Sequence, residues 1–140
     1  MTRKQLAKLV EAWRKVLLPE WRVKLMDHAP PDHDMENSWA VCQTNDDYLH
    51  INVYFTDELL KEPPRKIEIT VVHELLHALV RPWRRLLNAV EDDLPARAHH
   101  ALHEEQEHEE EQLVDRLAYA LVAQTHGAEP FGTIEEKGEA

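Results

Sequence analysis

The chain is 140 residues long, 43% hydrophobic and 31% charged, which suits one domain with one core and requires no second. Its formal net charge of -11 repels phosphate backbones, so no nucleic-acid partner is expected, residues 81–85 being the one basic patch. The single cysteine, Cys42, rules out an internal disulfide or a cysteine-ligated zinc; with no signal-like apolar core and no run near the ~18 residues of a membrane span, a soluble, cytoplasmic protein with no membrane contact is expected.

Thr2 and Gln5 form a capping-box pattern, and Leu6, Leu9, Val10, Trp13 and Leu17 then recur at helical spacing as far as Pro19. A helix over residues 3–18 follows. Alternation over residues 21–26 predicts a half-buried strand, and the polar, proline-containing stretch 27–38 a loop. A short apolar run at 39–43, turn chemistry at 44–47 and alternation at 48–55 predict a hairpin. Leu49, Ile51, Val53 and Phe55 share one face of its last strand; Tyr48, His50, Asn52 and Tyr54 share the other, which either lines a site or faces solvent. Residues 56–60 open a short helix that Pro63-Pro64 breaks.

The run from 65 to 80 contains Ile67, Ile69, Val71 and Val72, residues that also suit a strand, but it is too long for a typical one. Within it lies His73-Glu74-Leu75-Leu76-His77, the His-Glu-x-x-His pattern of zinc metallopeptidases. On a helix, residues four apart are offset by only about 40° around the axis, so both imidazoles reach one ion. Glu74 then sits beside the metal, placed to take a proton from water and pass it to a leaving amine. With 10 His and 18 Glu in the chain, composition alone gives about 0.09 chance matches. The apolar flanks Val71, Val72, Leu75, Leu76, Leu79 and Val80 favour a buried helix with one metal-facing stripe over a solvated one.

Arg81-Pro82 ends or kinks this helix, residues 83–90 supply another turn or two, and 91–95 a loop. Residues 96–126 read as one long helix with Gly127 as its C-cap. Its first half is almost wholly His and Glu, and Leu113, Val114, Leu117, Ala118, Leu121 and Val122 form a core-facing stripe in its second. One domain is expected over residues 1–127, followed by an acidic, loosely ordered tail at 128–140.

A catalytic zinc usually has three protein ligands, so two histidines leave one to find. Glu111 is the best placed, on the side of the helix shared by Val114, Asp115 and Ala118; Glu110 and Glu107 are the alternatives. Asp115, four residues on, can accept the outer N–H of a ligating histidine and fix its tautomer. His99 and His103 also have four-residue spacing but lack apolar context, which favours solvated side chains over a second site.

In His73-Glu74-Leu75-Leu76-His77 and in Glu111-Gln112-Leu113-Val114-Asp115-Arg116-Leu117-Ala118 the chain resembles the gluzincin zinc metallopeptidases, and in size the minigluzincins and the phage-type ImmA/IrrE peptidases. The resemblance implies an α+β, zincin-like domain: an N-terminal helix, a three-stranded antiparallel or mixed sheet with an edge strand beside the cleft, the His-Glu-x-x-His helix and a C-terminal ligand-bearing helix. It implies Zn2+ held by His73, His77 and Glu111, Glu74 as base and Asp115 behind a ligand. The transition-state donor stays open among Tyr119, Tyr54, His99, His100 and His103. The expected function is hydrolysis of a peptide or protein substrate, which would pair with the edge of the strand at 48–55. The alternative is a catalytically weak or inactive zinc-stabilised regulatory module of a phage or mobile element. A DNA-associated zinc peptidase of the SprT type is disfavoured by the acidic charge and the absence of a cysteine ribbon.

Overall fold

The structure, a computed structural model, describes residues 1–45 and 47–126; the Gly127 cap, the tail at 128–140 and Asp46 of the expected turn lie outside them. Helix α1 (Arg3–Leu17) opens on the expected capping box, with Gln5 N–H donating to Thr2 Oγ1 and Thr2 N–H to Gln5 Oε1. Leu6, Val10 and Trp13 form its buried stripe.

Strands β1 (Arg22–Leu25), β2 (Ala40–Asn45) and β3 (His50–Phe55) form one mixed sheet in the order β1-β3-β2. β1 pairs parallel with β3, and β2 antiparallel. The last strand is therefore central, with both edges hydrogen-bonded, and cannot accept a peptide at its edge. That position belongs to β2. The hairpin also turns later than the alternation implies. β2 runs on through Asn45, and Leu49, expected in the strand, stands in the left-handed region at φ 49°. A leucine there costs on the order of 1 kcal/mol, tolerated because its carbonyl accepts from Arg22 N–H and so ties β1 to the turn.

Helix α2 (Pro64–Val80) follows a short 3-10 turn at Leu59–Lys61 and starts with Pro64 at its first position, where the missing N–H has no partner to lose. The β-branched run is helical. It is apolar on several faces because it packs against α1, the sheet and α4 together, burying Ile67, Val71, Val72, Leu75, Leu76 and Ala78. Removing three buried carbons from Leu75, which is fully enclosed, leaves a cavity that such a layered core cannot collapse around. Leu75→Ala should lower unfolding free energy by about 2–5 kcal/mol in urea titrations, whereas exposed Leu86→Ala should stay within about 0.5 kcal/mol.

A 3-10 turn at Arg81–Trp83 leads into α3 (Arg84–Val90), a second at Glu91–Asp93 replaces the expected loop, and α4 (Ala96–His126) lies along α2. Its buried stripe is narrower than its apolar composition suggests: Glu110, Val114, Ala118 and Val122 are buried, while Leu113 and Leu117 are exposed. A helix covered mainly by one neighbour buries a single i, i+4 line rather than a broad face. Among the described residues no helix is long and apolar enough to cross a membrane.

Candidate metal centre

The α2–α4 contact places three groups of acceptors around one point. His73 and His77, one turn apart on α2, direct Nε2 atoms to within 3.1 Å of each other. Glu111 on α4 reaches both, with Oε2 3.2 Å from His73 Nε2 and Oε1 3.1 Å from His77 Nε2. The ligating atoms of these three side chains all lie within 4.8 Å of one another. Glu74, 8% exposed, stands beside them with Oε1 4.0 Å from His73 Nε2.

The outer nitrogens decide which way the imidazoles are polarised. His73 Nδ1 lies 2.7 Å from Asp115 Oδ1, and His77 Nδ1 lies 3.0 Å from Glu110 Oε2. An ionised carboxylate can only accept, so each Nδ1 carries the hydrogen and each neutral ring presents an Nε2 lone pair inward. Two lone pairs and a carboxylate then face one another with no donor among them. Only a positive charge, protons or a cation, relieves that arrangement.

The charge balance points the same way. Glu74, Glu110, Glu111 and Asp115 contribute four negative charges, and the guanidiniums near them are Arg84, 3.2 Å from Glu110, and Arg81, whose field acts on Glu110. With neutral imidazoles these groups stay net negative, which favours a bound cation. Without an ion the surrounding carboxylates favour a proton on each histidine. Burial pulls His77 down, but its hydrogen bonds to Glu110 and Glu111 and the charge of Glu74 outweigh this and raise it to about 9. His73 is also raised: burial opposes protonation, and Glu111 and Glu74 overcome it. Hydrogen bonds from His73 and His77 hold Glu111 far below the ordinary carboxylate range.

Glu110, the alternative to Glu111 as third ligand, is 6% exposed and stands behind His77, where it also accepts from Arg84. The signal for this placement was available. Glu110 is four residues before Val114 and on its line, while Glu111, Asp115 and Tyr119 occupy the adjacent line, which faces the cleft.

The cleft is an open cavity of about 560 Å³ whose walls include Trp39, Ala40, Val41 and Cys42 of the β2 edge region and, from the helices, Arg81 and Tyr119. Burial pushes the Cys42 thiol up, helped by the Glu74 charge, and Cys42 is not among the side chains whose ligand atoms converge. Tyr119 is among the cleft-lining residues and Tyr54 is not, its ring lying beneath the Arg3 guanidinium. His99, His100 and His103 point elsewhere, pairing with Glu91, Glu104 and Glu107 respectively. The expected basic patch is largely neutralised, Arg84 by Glu110 and Arg85 by Asp47.

Comparison with protein-family models, curated proteins and solved structures finds no match to this chain.

Proposed function

We propose that the protein is a zinc-dependent peptidase of gluzincin type. The observation that carries the reading is the convergence of His73 Nε2, His77 Nε2 and the Glu111 carboxylate, with both outer nitrogens backed by carboxylates and a fourth carboxylate, Glu74, alongside. Two imidazoles and one carboxylate around an open position form a donor set suited to catalytic zinc. When bound there, zinc supplies Lewis acidity, polarising a peptide carbonyl and making an adjacent water more acidic.

The chain's own groups supply the rest. Glu74 is confined between helix and cleft, accepts the proton of the attacking water and returns it to the departing amine. Asp115 and Glu110 hold the imidazoles in one tautomer, so the Nε2 lone pairs need no reorientation. Among the described residues β2 pairs with a strand on one side only, and it runs along the cleft, where Arg81 donates to the Cys42 carbonyl; an extended peptide adds there as a strand. Tyr119, one turn after Asp115, lines the cleft and is our candidate for the oxyanion donor.

Protein purified without added metal should contain about one zinc per chain by elemental analysis, because His73, His77 and Glu111 present ligand atoms that already converge. Less than a tenth of an equivalent in folded protein overturns the reading. Chelation should abolish hydrolysis of an unstructured protein such as casein, and zinc should restore it.

A further inference from the structure

A second surface, away from the metal centre, is built to be covered. Trp83 and Leu86, on the turn before α3 and on α3 itself, are 71% and 64% exposed, and with Leu102 of α4, 47% exposed, they line a groove of about 430 Å³. Isolated exposed apolar residues need no explanation, but large ones converging on one groove mark a contact surface. The rim is acidic. Glu105 and Glu109 stand on α4, spaced one turn apart along the groove, while the nearby cations of α3 are engaged elsewhere, Arg84 on Glu110 and Arg85 on Asp47. Gln106 lies between the two glutamates. Its Nε2 reaches toward Glu110 and its Oε1 is buried with no donor, while the side chains that rim the groove carry negative charge.

We propose that this groove docks a basic amphipathic helix of a partner protein, its apolar stripe on Trp83, Leu86 and Leu102 and its lysines or arginines against Glu105 and Glu109. Charge decides between occupants. A second copy of this chain would bring an identical acidic rim to the same groove, and an anionic lipid surface is repelled by it. The sequence of residues 128–140, with four glutamates and one lysine, has the same sign of charge as the rim and does not complement it. The proposal stands independently of the peptidase reading.

The test uses a labelled synthetic helix of about four turns with leucines at i, i+3, i+4 and i+7 and lysines elsewhere, beside its glutamate counterpart, by fluorescence anisotropy at about 0.15 M salt. The lysine peptide should bind and the glutamate peptide should not. Trp83→Ala and Leu86→Glu should each weaken binding at least ~10-fold, with unchanged circular dichroism. Leu86→Glu separates specific docking from general attraction to an acidic protein, because it adds negative charge while spoiling the apolar floor. Failure to bind, or equal or tighter binding to Leu86→Glu, overturns the proposal. So does a wild-type dimer in sedimentation that Leu86→Glu dissociates, which assigns the groove to a second copy.

Discussion

Replacing Glu74 with glutamine should leave zinc bound and lower peptide hydrolysis at least ~100-fold, the usual scale of general-base assistance. The substitution keeps the shape of the side chain and removes only its ability to take a proton. Glu74 is not among the three side chains whose ligand atoms converge, so elemental analysis of the variant should match wild type within error. Its neighbourhood makes the test clean, because it is flanked on α2 by fully buried Leu75 and sits at the floor of the cleft rather than on a loop. Equal cleavage by wild type and Glu74→Gln assigns the activity to a contaminant or to another base. A zinc-replete wild type with no hydrolysis across a broad peptide screen favours the regulatory module, in which the same ligands stabilise the fold without turnover.

The parts of this arrangement that follow from local periodicity were legible in the sequence. Four-residue spacing puts His73 with His77 and Glu111 with Asp115, and each pair lies on one face because both segments are helical. Relations that depend on what covers a helix were less so. Leu113 and Leu117 have the composition of a core stripe, yet the line through Val114, Ala118 and Val122 meets α2 and theirs does not. The same rotation of about 100° per residue separates Glu110 from Glu111, burying one behind His77 and opening the other to the cleft. In a run of three glutamates composition cannot choose the phase; the apolar line after it can. The central place of β3 was not legible either. A hairpin announces only the β2 partner, and the parallel pairing of Arg22 with His50 joins strands separated by β2 and by a loop with no periodic signal.

Substitutions along α4 should rank zinc affinity in an order that no reading of glutamate composition predicts. Glu111→Gln removes the anionic oxygens that approach both Nε2 atoms and should weaken zinc by more than ~100-fold, beyond the usual range for residues acting from behind a ligand. Glu110→Gln should cost about 10- to 100-fold, since it strips the negative charge behind His77 and leaves Arg84 facing a neutral amide in a buried position. Asp115→Asn should cost about 10-fold, its partner His73 being held at a more exposed carboxylate where water can substitute. Glu107→Gln, whose side chain is half exposed and pairs with His103 and Arg84, should be near neutral. Competition with a chromogenic chelator reads the series directly. Release of zinc by His99→Ala or His103→Ala, with full-strength binding retained in Glu111→Gln, would move the metal to the histidine-rich half of α4. Neutral Glu110→Gln with a weakened Glu111→Gln would keep the ligand set and remove only the role of the carboxylate behind His77, because the lone-pair convergence at Nε2 depends on Glu111 alone once the imidazole tautomers are set.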